Sequence, residues 1–277
     1  MGLRIATNVA SLNAQKNLSG NALNLNRSFE RLSSGSRINR AADDAAGLAI
    51  SENLRGLIRG FRQADRNAND GISLVQIAEG SLNEVSNMLV RLRELGVQAA
   101  SDTVGDTERK FIDVEYQQLK SEVQRITDST NFNGYDLLNG TGGVIDIQIG
   151  VHNNSFQDRI SFNASAANSS LESLGLAVET VATKEGAQMS LNTVDNAMTS
   201  INAIRANFGA LQNRLLSTSQ NLKVMDENYS AANSRIRDTD VAAETTEMMR
   251  NNILQQAAIS VLSQTNNSAQ LALKLLG

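Results

Sequence analysis

The 277-residue chain contains no cysteine, no tryptophan and no proline, and its one histidine is His152. The lack of cysteine excludes disulfides, thiolate nucleophiles and zinc–thiolate sites together, and says nothing about compartment. A lone histidine on the polar face of a predicted strand reads as an ordinary exposed side chain, because a triad or a metal site needs more partners than it has. The missing proline is the largest departure: at an average usage of about 5%, roughly fourteen would be expected. Proline costs about 3 kcal/mol inside a helix, so a chain without it can run very long helices. Aromatics are only 4% of residues. Thick globular cores lean on such rings, whereas slim helix–helix contacts are built from Leu, Ile, Val and Ala. With 25 Lys+Arg against 29 Asp+Glu the formal charge is −4, which excludes a strongly basic nucleic-acid binder. No 18-residue apolar run exists, the N-terminus has no apolar core of a secretory signal, and Ala6 breaks the myristoylation pattern. Neither general secretion nor membrane insertion is expected, and a dedicated export route stays open.

Helical periodicity fills what remains. A 3-4 spacing runs from Leu54 through Leu57, Phe61, Ala64, Ala68, Gly71, Val75, Ala78, Leu82, Val85, Leu89, Leu92 and Gly96 to Ala99. More than six heptads in one phase predict a coiled-coil-like helix, about 70 Å long at 1.5 Å per residue. A compact chain of this length has a radius of gyration of about 19 Å, so an elongated molecule is expected. A second rod follows Ile201, Ile204, Phe208, Leu211, Leu215, Thr218, Leu222, Met225, Tyr229, Ala232 and Ile236. A shorter helix over 107–127 carries Ile112, Tyr116, Leu119, Val123 and Ile126, with Asp106 as its expected N-cap.

The middle changes character. Asn-Gly pairs at 133–134 and 139–140 are turn signals. From Val144 to His152 the pattern alternates, with Ile145, Ile147, Ile149 and Val151 on one face, and Ile160 and Phe162 mark a partner strand. A small β element is therefore expected within about 131–180.

Both ends carry apolar stripes. Leu18, Ala22, Leu25, Phe29 and Leu32 form one; Leu254, Ala257, Val261, Gln264, Ser268, Leu271 and Leu275 form another. Beside the latter runs a parallel set, Ala258, Leu262, Thr265, Ala269, Ala272 and Leu276. The arc is wider than a two-helix seam requires, so pairing of the ends leaves apolar surface for other copies to cover. The fold class expected is mainly α: an elongated coiled-coil-like bundle with a small β-hairpin element and paired N- and C-terminal helices.

Chemistry-bearing motifs are missing: no HExxH, no GxxxxGK[ST], no GxSxG and no EF-hand loop. Asp43 and Asp44 diverge as helix neighbours and read as caps or charges at the start of the long helix; Asp238 and Asp240 read likewise before the last helix. Arg91, Arg93 and Glu94 read as a solvated charged face. No catalytic residue, metal ligand or cofactor is assigned.

The segments RLSSGSRINRAADDAAGLAIS (31–51), RNANDGISLVQIA (66–78), LRELGVQAA (92–100) and SRIRDTDVAAETTEMMRNNILQQAAISVL (234–262) resemble the signatures of bacterial flagellin. The resemblance implies a subunit that polymerises with its own copies, and with any sibling flagellins, into an extracellular flagellar filament for motility. It implies an inner terminal domain from residues 1–43 and 237–277, and a rod domain from 44–236. The variable outer region is reduced to about 141–184. Implied partners are the flagellar export apparatus, an export chaperone and a filament cap, with neither nucleic acid nor membrane insertion. The family tends to carry proline in its last turns, where this chain reads Asn266-Asn267-Ser268-Ala269-Gln270. Arg91, Leu95, Gln98 and Glu115 resemble the set by which a Toll-like receptor recognises some flagellins. The rival readings are a hook–filament junction protein and a non-polymerising coiled-coil scaffold or adhesin.

Overall fold

A computed structural model describes residues 8–274 of the chain, with side chains described as far as Asn267. It divides into two compact units, one from 1–56 with 228–277 and one from 57–227. Five α-helices are described: α1 (Val9–Ser34), α2 (Ala45–Ala99), α3 (Asp106–Ser129), α4 (Lys184–Arg237) and α5 (Val241–Lys274). Four short strands, β1 (Asn131–Phe132), β2 (Tyr135–Asp136), β3 (Val144–Gln148) and β4 (Arg159–Asn163), make two antiparallel hairpins.

In the unit formed by 57–227 the heptad stripe of α2 is the core. From Phe61 to Ala99 every expected position of that stripe is buried. The matching stripe of α4 begins earlier than expected, at Ala187 and Ser190, because α4 itself starts at Lys184. In α3 the expected stripe also faces inward, with Tyr116 fully buried; that burial pushes its phenol up to about 12. The expected cap of α3 needs correction. Gly105 occupies the N-cap, and Asp106 lies in the first turn, where its carboxylate accepts from Arg109 at 2.7 Å. That turn satisfies the helix dipole but not the cap bond.

Two buried cations hold this unit's loops. The Arg109 guanidinium donates to the carbonyl of Ala99 at 2.8 Å, satisfying an orphan acceptor at the end of α2, and to that of Ser101 in the following loop at 2.9 Å. Lys120 reaches the carbonyls of Ala177 at 3.1 Å and Glu179 at 2.7 Å, fixing the segment before α4. Burial lowers the Lys120 ammonium from its ordinary value, opposed by the charges of Asp113 and Glu179.

The β1–β2 turn has positive φ at Asn133 (51°) and Gly134 (83°), the conformation that an Asn-Gly hairpin adopts. In the second hairpin Ile147 pairs with Ile160 and Ile145 with Phe162. The alternation persists through Ile149, but the ladder ends at Gln148; the amides of Ile149 and Gly150 both donate to Asp158 instead. Asn67 of α2 donates to Gln148 O at 2.9 Å, and Gly71 leaves room for Ile147, whose methyl a side chain there would strike. On the other side Phe162 meets Phe208 of α4 with ring centroids 5.3 Å apart.

Candidate assembly surfaces

The unit formed by 1–56 and 228–277 is built on α1 and α5. Asn8 caps α1 by accepting from Ser11 N at 3.1 Å, and Gly35 closes it in the left-handed conformation at φ 68°. Asp44 accepts from Gly47 N at 2.8 Å, and Asp240 accepts from the amides of Ala242 and Ala243, so each aspartate caps the helix that follows. Asp43 serves the loop, accepting from the amides of Arg40 and Asn39. Those bonds, led by that of Arg40 and joined by the charges of Arg31 and Arg27, hold its carboxyl below the usual range. The two connecting loops are stitched together: Arg37 N donates to Arg237 O at 2.6 Å, Thr239 N donates to Gly35 O at 3.0 Å, and Ile38 is buried. Glu52 takes bonds from Arg237 at 2.5 Å and Arg55 at 3.2 Å, which lower its carboxyl, the Arg237 bond most.

Three contacts set how α1 and α5 pair. Asn8 Nδ2 donates to Thr265 O, Ser11 Oγ to Asn266 Oδ1, and Arg31 to Glu244 at 3.4 Å. The start of α1 meets Thr265 and Asn266 and its end meets Glu244, so the pair is antiparallel. The inward positions of α1 are Ser11, Ala14, Leu18, Ala22, Leu25, Ser28 and Leu32. Those of α5 are Glu244, Met248, Asn251, Gln255, Ala258, Leu262 and Thr265. Both sets keep 3-4 spacing, but the seam is largely small or polar: its buried members are Ala14, Ser28 and Asn251.

This places the expected residues on two different faces. Leu18, Ala22, Leu25 and Leu32 lie on the seam, as does Leu262. Phe29 does not; it is 51% exposed and Ser28 takes the inward place. Leu254, Ala257 and Val261 are exposed, and of the parallel set Ala258, Leu262 and Thr265 face α1. Both stripes have heptad spacing, so periodicity alone does not choose between them. Leu271 has no described side chain, and Leu275 lies outside the described residues. What remains on α5 is an exposed apolar face of Met249, Ile253, Leu254 and Val261, and on α1 Leu12, Leu23 and Phe29 are exposed as well.

Of the receptor-like set in the other unit, Arg91, Gln98 and Glu115 are exposed, and Arg91 bridges Glu115 at 2.8 Å and Glu94 at 2.9 Å. Leu95 is only 2% exposed and belongs to the heptad core, so it offers no surface alongside the other three. Arg93 pairs with Asp195 at 2.7 Å.

Paired end helices with uncovered apolar faces, together with a heptad core that carries small hairpins, define an α-helical assembly subunit. Comparison with known proteins narrows this. Residues 5–142 match the bacterial flagellin N-terminal helical region and 191–276 the C-terminal helical region. The flagellin of Halalkalibacterium halodurans is 42% identical over 269 residues, 97% of this chain and 98% of that one. The flagellin of Bacillus subtilis is 40% identical over 306 residues, 99% of this chain and all of that one. The crystal structure of Bacillus cereus flagellin is 33% identical at a TM-score of 0.51, covering 57% of this chain and 88% of that one. The chain belongs to the bacterial flagellin family, and its role is that of a structural subunit of the extracellular flagellar filament. Among the described residues no helix is long and apolar enough to cross a membrane.

Proposed function

We propose that assembly is driven by the two ends of the chain, and that residues 1–43 with 237–277 act as the inner domain of the polymer while 44–236 form its rod. The observation that carries this is the apolar face of α5 that pairing with α1 leaves open, with Ile253 66% exposed. A contact between this face and a different patch of the next copy is heterologous and does not close, so it propagates into a helical polymer. The polar seam makes the α1–α5 pair weak by itself. Ordering costs about 1–2 kcal/mol per residue in backbone entropy, and the terminal helices recover it when neighbours cover the open face. Folding of the ends is then completed by association.

The export apparatus, an export chaperone and a filament cap are the partners this role calls for, and absent cysteine and proline suit passage through a narrow channel. Recognition by a Toll-like receptor rests on Arg91, Gln98 and Glu115 alone. The role assigns catalysis to no residue. The test is Ile253→Asp combined with Val261→Asp in the full chain, two exposed positions outside the α1–α5 seam. Electron microscopy of concentrated protein is expected to show fibres for the unmodified chain and none for the variant. Fibres of normal length from the variant would overturn the reading.

A further inference from the structure

The chain's two Asn-Gly pairs lie in the β1–β2 turn and in the loop after β2, and their surroundings differ. At the first, Asn133 and Gly134 form a two-residue loop with both residues at positive φ. Both are exposed, and the space where a Gly134 side chain would lie is open. The Asn133 side chain has no hydrogen bond among the described residues. At the second, the Asn139 side chain is held from both ends. Its Nδ2 donates to Asp136 Oδ2 at 2.8 Å, and its Oδ1 accepts from Thr141 N at 2.9 Å and Thr141 Oγ1 at 2.7 Å. Asn168 crowds Gly140, with its amide nitrogen 2.7 Å from where a Cβ would sit.

An asparagine followed by glycine carries its own chemistry, because no Cβ blocks the glycine nitrogen from the asparagine side chain. That nitrogen forms a bond to the asparagine Cγ and gives its proton to solvent, and the side-chain nitrogen leaves as ammonia, closing a succinimide. Water then adds to one ring carbonyl and breaks a ring C–N bond, leaving aspartate or, by opening at the main-chain carbonyl, isoaspartate. The reaction needs a free side chain and a backbone that can leave its turn. The β1–β2 hairpin has two residues in each strand, too few to be stable alone. Its base is tied by Leu137 N donating to Thr130 O at 3.1 Å, beside the fully buried Leu137 and Leu138. The tip therefore opens without unfolding the rest of the unit.

We infer that Asn133 is a site of spontaneous deamidation through a succinimide with Gly134, and that Asp136 and Thr141 protect Asn139 from the same reaction. Isoaspartate adds a carbon to the main chain of a loop whose length sets the register, so it breaks the Phe132–Tyr135 pairing. Either product places a new negative charge on an exposed tip. Ammonia is lost to solvent, so the change runs one way and accumulates with the age of the molecule.

The test uses the unmodified full-length chain, folded, in mildly alkaline buffer. Trypsin releases 126–159 as one peptide that contains both pairs. Electron-transfer fragmentation assigns the amide-to-acid mass change to a residue and separates aspartate from isoaspartate. Asn133 is expected to convert about tenfold faster than Asn139, the scale of the bonds that must break first at Asn139. Isoaspartate is expected among the Asn133 products, and the two sites should convert at comparable rates in urea. Asp136→Ala and, separately, Thr141→Val are expected to speed conversion of Asn139. Conversion of Asn139 in the folded chain as fast as that of Asn133 would overturn the inference, as would a folded chain that leaves Asn133 intact while the chain in urea converts it. An Asn139 rate unmoved by both substitutions would overturn the protection assigned to Asp136 and Thr141.

Discussion

The two units use the same heptad spacing to opposite ends. In 57–227 the inward positions are Leu, Val, Ile and Ala almost throughout, and Leu82, Val85, Leu89 and Leu92 are completely buried. In the unit formed by the chain ends, the described buried apolar residues are Ala14 and Ile38 alone, while Ile253, Val261 and Leu23 face outward. One unit spends its apolar surface on itself; the other withholds it. Heptad spacing therefore specifies that helices pair, and the chemistry at each position specifies whether the pair is self-sufficient.

The largest effect should come from deleting one side of this contrast. Removal of 1–43 and 237–277 is expected to abolish fibres entirely while the remaining rod keeps a cooperative thermal transition by circular dichroism; fibres from the clipped chain would break the comparison. Next, Leu89→Ala should destabilise the rod by about 2–5 kcal/mol in urea unfolding, the cost of a large-to-small change in a close-packed core. Phe29→Ala, at an exposed position, should shift monomer stability by no more than about 0.5 kcal/mol. Equal losses from both would erase the distinction. Lys120→Met should cost about 1–3 kcal/mol, since it takes the Lys120 donor from the Ala177 carbonyl and leaves the Glu179 carbonyl to Gln117 alone, and should speed amide exchange in 177–183 selectively.

The smallest effect is electrostatic. Glu52 has its folded pKa lowered, chiefly by the bond from Arg237. A lowered folded value means its contribution is present above the ordinary carboxylate range and disappears as pH falls through the folded value. Between pH about 5 and about 3 the unmodified chain should therefore lose slightly more stability than Glu52→Gln. A steeper loss in the variant would reverse the sign.

The rod was readable in advance because apolar side chains at 3-4 spacing have one stable use, burial on a partner stripe, and position after position from Phe61 to Ala99 obeys it. Asp44 and Asp240 were readable as caps because a short acidic side chain before a helix has an amide to accept from. The inward face of α5 was not: Leu254 and Ala258 begin two stripes of identical period, and the choice depends on how Asn251 and Glu244 meet Ser28 and Arg31. Leu95 was hidden for a related reason, since it widens a core arc while directly following the charged pair Arg93 and Glu94. Arg109 and Lys120 fall on the 3-4 stripe of α3, but spacing gives no sign of the backbone carbonyls they bind, which depend on where loops return.

In the proposed assembly the paired ends are weak alone and are completed by other copies. Amide hydrogen exchange measured on dilute monomer and on fibres of the same preparation tests it most directly. The expected result is fast exchange along α1 and α5 in the monomer, strong protection of both helices in the fibre, and slow exchange in α2 from Phe61 to Ala99 in either state. Protection of α1 and α5 in dilute monomer equal to that of the rod would contradict it.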